Sequence, residues 1–284
     1  MPTGPVLVVG SAGKTGRAVC AALLARGATV RAAVRPGREA SAPTGTRAVA
    51  VDLVDGRGLD AALDGCAAAY HLAPNVHPDE VGIAGRVGDA ARCTGLPHLV
   101  FHSVLHPDDA RMPHHLRKGA AEAVLRRRVP ASLVVLRPSA YHENLLPQVL
   151  AGAVTLPYSA DTPFTTVALT DVAEAAAGAL LDPARDGEVH DLVGPDVLTT
   201  RQMVARAEQV LGRPVRLDVG TPGAWADGPG AGLPAPAREA LAAMFAAYDE
   251  DGLVGDPADL TALLGRRPTS WAETLTAAAA APAP

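Results

Sequence analysis

A glycine-rich turn between an apolar run and a helical pattern constrains the fold of this chain more than any other feature. The apolar run Pro5–Val9 predicts a buried strand, and the pattern over Thr15–Arg26 predicts a helix. The segment that joins them has three glycines at the spacing GxxGxxG and consists of Gly10, Ser11, Ala12, Gly13, Lys14, Thr15 and Gly16. A strand, a glycine turn and a helix in this order favour a nucleotide-binding βα unit over a merely structural glycine turn.

Each glycine of the turn has a physical reason. Gly10 permits the tight turn, Gly13 lets the backbone approach a pyrophosphate, and Gly16 lets the helix pack against the strand. The free N–H groups and the positive dipole end at the start of the helix attract phosphates. We therefore expect residues 10–16 to bind a dinucleotide.

The end of the second predicted strand, Thr29–Val34, indicates which dinucleotide. NAD sites place an acidic residue there for the ribose 2′-hydroxyl, but this chain has no acidic residue before Glu39. Arg35 at the strand end, with Arg38 as a second partner, suits a 2′-phosphate, because a guanidinium binds phosphate through two parallel hydrogen bonds. The sequence predicts NADP(H), although solvated surface arginines are an alternative.

Two further segments follow strands and are expected beside the cofactor, because ligands bind at the carboxyl ends of parallel strands. Asp52 and Leu53 follow the third strand, where a carboxylate can accept a hydrogen bond from the adenine amino group. Leu72, Ala73 and Pro74 end the fourth strand and are expected beside the nicotinamide ribose.

Strand and helix patterns alternate through the first half of the chain, which predicts an α/β Rossmann fold with a doubly wound parallel sheet. After about residue 145 shorter strands and helices predict a smaller C-terminal substrate-binding lobe. We expect an NADP(H)-binding domain over 1–145, the smaller lobe over 146–276 with a candidate lid at 221–250, and a disordered tail over 277–284.

Composition excludes several classes of partner. The net charge is −5, and the only cluster of basic residues is Arg126–Arg128, so nucleic acid is not expected as a partner. The sequence has no run of eighteen apolar residues and no leader pattern at its start, which predicts a cytoplasmic protein outside the membrane. Three scattered cysteines are expected to be free thiols.

The chain resembles the NmrA-like branch of the atypical short-chain dehydrogenases/reductases. The resemblance covers most of the sequence and rests on VLVVGSAGKTG, AAVRPG, VDLVDGRGLDAALDGC, LVVLRPSAYHENLL, FTTVALTDVA and GRRPTSW. The chain is also similar to the ketoreductases of actinomycete aromatic-polyketide pathways. The resemblance implies an NADP-dependent oxidoreductase whose substrate pocket includes Pro138, Tyr141 and Asn144.

The chain departs from the wider superfamily at the proton donor. Most of those enzymes use a serine and a Tyr-x-x-x-Lys pair, in which the phenol protonates the carbonyl oxygen. Here Ser103 matches the serine and Lys118 the lysine, but His114 stands where the tyrosine is expected. His114 and Tyr141 are candidate acids, with capping and packing as their alternative roles, and Lys118 is expected to bind the cofactor ribose. A phenol on the substrate is a further candidate, since it can supply the proton internally.

These observations predict an NADPH-dependent reductase of a ketone on a bulky aromatic metabolite, with small-molecule partners only. The alternatives are a quinone reductase and a catalytically silent NADP(H) sensor that controls a partner protein, while an epimerase is disfavoured because it depends on the same missing tyrosine. No metal site is expected, because His98, His102 and His106 lie at a strand rather than along a helix face, and no Gly-x-Ser-x-Gly motif supports a hydrolase. The oligomeric state is left open.

Overall fold

The structure is a computed structural model that describes residues 4–129 and 132–280. Within these residues the strands are β1 Val6–Val8, β2 Val30–Val34, β3 Arg47–Ala50, β4 Ala68–His71, β5 Leu99–His102, β6 Leu133–Pro138, β7 Ala153–Leu156, β8 Pro163–Phe164, β9 Val189–Leu192, β10 Leu198–Thr199 and β11 Arg216–Val219. The helices are α1 Lys14–Ala25, α2 Leu59–Leu63, α3 Glu80–Cys93, α4 Pro113–Arg128, α5 His142–Ala151, α6 Leu169–Leu181, α7 Thr200–Leu211, α8 Pro222–Asp227, α9 Ala235–Asp251, α10 Ala258–Leu264 and α11 Trp271–Ala280. Two 3₁₀ turns lie at Glu39–Ser41 and Pro183–Arg185.

The main sheet has seven strands among the described residues, in the order β3-β2-β1-β4-β5-β6-β9. The pairs from β3 to β6 are parallel. The strand order reverses direction at β1, where the chain passes from β3 across to β4. This order confirms the predicted doubly wound Rossmann fold.

The chain divides into two compact units. The first contains the described parts of Met1–Asp108, His115–Arg137 and Val172–His190, and the second those of Asp109–His114, Pro138–Asp171 and Asp191–Pro284. The division therefore differs from the single boundary expected after residue 145, because the chain crosses between the units several times.

The core of the first unit lies between the sheet and its helices. It is built from small and branched apolar side chains, among them Leu7, Val87, Leu99, Leu125 and Val135, all nearly inaccessible to solvent. Buried apolar side chains on adjacent parallel strands are what a sheet covered by helices requires.

The second unit has its own core and two small sheets. Strands β7 and β11 pair in parallel, and β8 and β10 pair antiparallel. Its core includes Val154, Met203, Leu275 and the fully buried Trp271, whose Nε1 donates to the Met203 carbonyl over 2.8 Å.

Two helices of the second unit, α8 and α11, were not predicted from the sequence. Helix α8 lies inside the segment expected as a candidate lid, 221–250, and Thr221 accepts a hydrogen bond from the Ala224 N–H at its start. Helix α11 extends to Ala280, so the first residues of the expected disordered tail are helical; residues 281–284 lie outside the described part of the chain.

Candidate functional site

The glycine turn after β1 is built for close backbone approach. Gly10 has a φ of +77°, and a Cβ there would lie 2.9 Å from the Leu72 carbonyl oxygen. A Cβ at Gly16 would lie 2.2 Å from the Gly10 carbonyl oxygen, so only glycine lets α1 begin this close to the turn. Gly13 is the N-cap of α1, and no side chain caps the helix. The first N–H groups of α1 are thus left for a ligand.

Two side chains hold this turn in place. The buried Ser11 hydroxyl donates to the Ala33 carbonyl of β2 over 2.8 Å. Arg17 on α1 donates to the Ala12 carbonyl over 2.9 Å and to the Ser41 carbonyl over 2.8 Å. Sequence reasoning missed Arg17, because Ser41, one of its two partners, lies on another segment of the chain.

The two arginines after β2 are exposed. Among the described residues, neither Arg35 nor Arg38 forms an ion pair. The nearest acidic side chain in sequence, Glu39, accepts a hydrogen bond from the Gly37 N–H over 3.1 Å, within the same turn. Two unneutralised guanidinium groups therefore follow the strand end at which the sequence predicts the adenosine phosphate.

The residues expected near the adenine are engaged in their own loop. The Asp52 carboxylate accepts from the Val54 N–H over 2.9 Å and lies 3.7 Å from Arg57. Leu53 is half-buried, and its carbonyl accepts from Arg86 over 3.0 Å. Asp52 keeps its position after β3, but its carboxylate already shapes the loop.

The segment after β4 passes from half-buried Leu72 through buried Ala73 to exposed Pro74. Val76, which is buried, follows with a φ of +52°. A left-handed conformation at a β-branched residue is strained and is found where the surroundings impose it. The backbone is therefore held in an unusual shape directly after the residues expected beside the nicotinamide ribose.

Ser103, which follows β5, donates its hydroxyl hydrogen to a buried carboxylate. The Ser103 Oγ lies 2.5 Å from Glu122 Oε1. Arg137 holds the same carboxylate through two hydrogen bonds of 2.9 and 2.7 Å. Ser103, Glu122 and Arg137 thus form one polar cluster, and only its serine was predicted from the sequence.

Lys118 is buried on α4 and is also paired. Its Nζ lies 2.6 Å from the fully buried Glu80 carboxylate of α3, and it donates to the His102 carbonyl over 3.0 Å. The same ammonium group lies 5.3 Å from the centre of the Phe101 ring. The buried ion pair fixes the Lys118 side chain between α3 and the end of β5.

Two histidines lie beside this ion pair. The Tyr70 hydroxyl is hydrogen-bonded to His102 Nδ1, and His71 stacks on Phe101 with ring centres 5.4 Å apart. Burial, reinforced by the Lys118 charge, lowers the pKa of His71 and of His102 to about 3. Among the described residues, no group bonds either ring nitrogen of His71. Both histidines are therefore neutral at physiological pH.

The remaining predicted residues belong to the second unit. His114, in the first turn of α4, is buried, and Pro138 is buried at the end of β6. Tyr141 is half-buried in an extended conformation as the N-cap of α5, and Asn144 is exposed on that helix. Helix α5 was not predicted, because the sequence pattern of this stretch was interpreted as pocket wall.

Sheet order brings the first-unit residues together. The glycine turn, Arg35, Asp52, Leu72 and Ser103 follow the carboxyl ends of β1, β2, β3, β4 and β5, which are neighbours in one parallel sheet. All of them therefore line the same edge of that sheet.

His98 and His102, for which the sequence predicts no metal, are bonded to other protein groups. His98 bonds Asp186 over 2.5 Å and the Ala179 carbonyl over 2.8 Å. In the described part of the chain no group of three His, Cys, Asp or Glu residues has metal-binding geometry. The same residues contain no helix that is both long and apolar enough to cross a membrane.

Comparison with known proteins covers nearly the whole chain. The model of the NmrA-like family matches residues 2–277. The (4-alkanoyl-5-oxo-2,5-dihydrofuran-3-yl)methyl phosphate reductase of Streptomyces griseus is 31% identical over 75% of this chain and 76% of that enzyme. The NAD(P)H azoreductase of Xenophilus azovorans is 27% identical over 97% of this chain and 98% of that enzyme.

Solved structures share the fold. An NADPH-dependent quinone oxidoreductase of Escherichia coli, solved with NADPH, superposes with a TM-score of 0.82 at 23% identity over 96% of this chain and 99% of that one. A triphenylmethane reductase of Citrobacter sp., solved with NADP(H), superposes with a TM-score of 0.80 at 22% identity over 96% and 99% of the two chains. The family model, the similarity to the Streptomyces griseus enzyme and the sheet order agree, and this chain belongs to the NmrA-like family.

Proposed function

We propose that this chain is an NADPH-dependent reductase that transfers hydride to a carbonyl group of a bulky aromatic compound. The observation that carries the proposal is the glycine turn at the uncapped end of α1, together with exposed Arg35 and Arg38 after the neighbouring strand. Hydride transfer from NADPH requires the cofactor to be held at its phosphates, and this part of the first unit has the groups to do so.

The residues present fit the cofactor. Residues 10–16 offer backbone N–H groups to the pyrophosphate, in a turn where a Cβ at Gly16 would fill the space. Arg35 and Arg38 offer unneutralised guanidinium groups to the 2′-phosphate, which distinguishes NADPH from NADH. Asp52 and Leu53 follow β3 and residues 72–74 follow β4, at the carboxyl ends of strands in the same sheet. We assign the first pair to the adenine and residues 72–74 to the nicotinamide ribose. NADPH, when bound, supplies the hydride.

The chain's own residues then orient the reacting groups. Lys118 is held by Glu80 and Ser103 by Glu122, so each is fixed in one conformation before a ligand arrives. Ser103 gives its hydrogen to Glu122, and its oxygen retains the capacity to accept a hydrogen bond. Because a ketone oxygen has no hydrogen to give, we assign Ser103 to accepting a hydrogen bond from a hydroxyl of the cofactor or the substrate, and Lys118 to positioning the cofactor ribose.

The proton for the product oxygen has three candidate sources: buried His114, half-buried Tyr141 and a phenol on the substrate beside its ketone. We favour the substrate phenol, because an adjacent phenol already lies within hydrogen-bond reach of the oxygen. Positioning of the reactants can itself lower a barrier by roughly 7–11 kcal/mol.

A quinone as acceptor is the second candidate. The related proteins are named for their action on a furanone phosphate, an azo compound, a quinone and a triphenylmethane dye. The azo compound and the quinone are flat conjugated molecules, which favours an acceptor of that shape here.

The test is NADPH oxidation, followed at 340 nm, with a panel of aryl ketones, hydroxylated polycyclic ketones and quinones. We expect turnover with at least one flat acceptor. Among the variants His114→Gln and Tyr141→Phe, a drop of about 10³-fold in kcat would identify a protein acid, and smaller losses in both would favour the substrate phenol. If NADPH binds and no acceptor oxidises it, the reductase proposal fails in favour of an NADP(H)-sensing protein.

A further inference from the structure

Aromatic residues are rare in this chain and concentrated in one place. The sequence contains three Phe, four Tyr and two Trp. Five of these nine pack together in the second unit. This aromatic cluster consists of Tyr158, Phe164, Trp225, Phe245 and Tyr248.

Tyr158 is the centre of the aromatic cluster. Its ring centre lies 5.6 Å from that of Phe164, 5.7 Å from that of Phe245 and 5.6 Å from that of Tyr248. Trp225 meets Phe245 at 85° with ring centres 4.8 Å apart. Two rings at right angles expose the face of one ring beside the edge of the other. A further flat ring can stack on that face or meet that edge, and both arrangements are favourable.

The aromatic cluster is only partly covered by the chain itself. Phe164 and Tyr248 are buried, whereas Tyr158, Trp225 and Phe245 are half-buried. On α9 the apolar residues Leu241, Met244, Phe245 and Tyr248 have the spacing of one helix face, which in a core helix is buried throughout. Here three of these four remain half-buried.

The two phenol hydroxyls of the aromatic cluster have no partner in the described residues. Neither Tyr158 nor Tyr248 forms a hydrogen bond there, although the Tyr248 side chain is only 7% exposed. Burial raises the pKa of Tyr158 to about 12 and raises that of Tyr248 as well, so both hydroxyls stay protonated. Neither hydroxyl oxygen is fully buried, so each can donate to an oxygen of a bound ligand in place of water.

Backbone hydrogen bonds fix the aromatic cluster. The Leu253 N–H, just after α9, donates to the Pro163 carbonyl over 2.9 Å, beside Phe164. The Ser159 N–H donates to the Asp249 carboxylate over 2.5 Å, which ties the residue after Tyr158 to the residue after Tyr248. The rings are thus held in place without a ligand, as a preformed site requires.

We propose that the aromatic cluster is a binding site for a planar aromatic ring that bears oxygen substituents. The ring packs against half-buried Trp225, Phe245 and Tyr158, and the Tyr158 and Tyr248 hydroxyls donate hydrogen bonds to its carbonyl or phenol oxygens. As the place where the substrate is recognised, this site rests on the proposed reductase function, but its ligand binding is measurable without turnover.

The binding experiment is calorimetric titration of cofactor-free protein with emodin, a trihydroxyanthraquinone. Tyr158→Phe and Tyr248→Phe remove one hydroxyl each and leave the ring. Each is expected to weaken binding about three- to tenfold, as for the loss of one hydrogen bond. Because these hydroxyls have no protein partner, neither substitution should lower Tm. Unchanged emodin affinity in both variants, or a lower Tm without an affinity change, would overturn the proposal.

A ring variant and its control test the apolar contacts. Phe245→Leu removes a ring and is expected to weaken emodin binding at least about tenfold, in line with the loss of an aromatic contact. Val197→Leu, at a position 58% exposed and outside the aromatic cluster, is the control and should leave binding unchanged. Equal affinity of the Phe245→Leu variant and the wild type would contradict the site.

Turnover separates this inference from the reductase proposal. The ketones 1-tetralone and 1-decalone share a bicyclic skeleton and a carbonyl, but only the first has an aromatic ring. We expect a lower KM for 1-tetralone, and a KM increase in Tyr158→Phe for that ketone. Emodin binding with the expected losses but no NADPH oxidation would contradict the reductase proposal and support the aromatic binding site. Turnover with equal KM values for both ketones would support the reductase proposal and contradict the aromatic binding site.

A second copy of the chain is the competing occupant of this surface. Size-exclusion chromatography over a range of protein concentrations, with and without emodin, tests it. We expect the elution of the wild type and of Phe245→Leu to coincide. Dissociation of a dimer by Phe245→Leu would assign the surface to self-association and overturn the ligand site.

Discussion

Two groups of residues at the carboxyl ends of the main-sheet strands in the first unit differ in whether their polar side chains are paired. After β1 and β2, Arg35 and Arg38 are exposed and lack ion pairs among the described residues, and the helix end beside them is uncapped. After β4 and β5, Lys118 and Ser103 are buried and each is bonded to a buried carboxylate, Glu80 or Glu122.

This difference suggests that the two groups of residues have different roles, one in binding the cofactor phosphates and the other in positioning the reactants. Unpaired cations beside free N–H groups attract a polyanion, so the first group of residues is prepared for phosphates. Paired groups in a dry environment are rigid and poorly disposed to exchange protons. We therefore propose that the second group of residues holds the reactants in position.

The largest effect is expected at the buried ion pair. Lys118→Met leaves the Glu80 carboxylate buried without its cation, which should lower the free energy of unfolding by about 3–5 kcal/mol in urea denaturation. The double variant with Glu80→Met should recover most of that loss. As a control, Arg201→Ala breaks an ion pair of 2.7 Å with Asp161 whose side chains are 58% and 63% exposed, and should leave the free energy of unfolding almost unchanged. Equal losses in the two single variants would show that the buried pair is not special.

The next effect is expected at the glycine turn. Gly16→Ala puts a methyl group 2.2 Å from the Gly10 carbonyl oxygen, against backbone that has no flexible end to yield. We expect a loss of about 3 kcal/mol in stability, from overpacking, and loss of NADPH binding in calorimetry. Gly178→Ala on α6 is the matched control, since its Cβ would meet nothing within 4 Å and alanine favours the helix. Wild-type NADPH affinity in Gly16→Ala would contradict the proposed phosphate site.

A smaller and more selective effect is expected at Arg35. Arg35→Ala should weaken NADPH binding about tenfold to a hundredfold, because a hydrogen bond to a charged group contributes about 1.5–3 kcal/mol, and should leave NADH binding unchanged. Arg47→Ala, an exposed arginine at the amino end of β3, is the control for loss of positive charge and should change neither affinity. A parallel loss for both cofactors would mean that Arg35 does not contact the 2′-phosphate.

The smallest effect is the one that a single histidine has on stability per unit of pH. Burial lowers the pKa of His71 and His102 to about 3 and that of His142 to about 4. Below pH 6.5 the unfolded chain takes up protons that the folded chain refuses until these lower values, so stability falls as pH decreases from 6.5 toward 4. Each histidine contributes up to about 1.4 kcal/mol per pH unit. His71→Phe, which preserves the stack on Phe101, should flatten the slope; an unchanged slope would show that His71 titrates normally.

Much of the first unit was predictable because its signals are local. The apolar run of β1, the glycine spacing and the helix after it lie within one short stretch, and their physical requirements coincide. The structure keeps these elements to within a residue or two of the predicted bounds.

The polar clusters were not predictable, because their partners are distant in sequence. Nothing near Glu80 indicates that its carboxylate will meet Lys118, and Glu122 meets Arg137 only once α4 packs beside β6. The aromatic cluster likewise joins α8, α9 and β8 with Tyr158, which are separated along the chain.

Two missed helices carried usable signals. Ser270 and Glu273 have the spacing of a capping box, and the Ser270 N–H donates to Glu273 Oε2 over 2.7 Å at the start of α11. Thr221 followed by Pro222 is a helix start that the surrounding glycines concealed. The alanine-rich composition of α11 resembled a frayed tail, but buried Trp271 anchors it.

We expect the residues after β1 and β2, with Arg35 and Arg38, to select NADPH over NADH. The most direct test is calorimetric titration of the wild-type chain with each cofactor, in one buffer at fixed ionic strength. We expect NADPH to bind at least about tenfold more tightly than NADH, since the 2′-phosphate adds charge-assisted hydrogen bonds to arginine. Equal affinity, or tighter binding of NADH, would contradict this expectation.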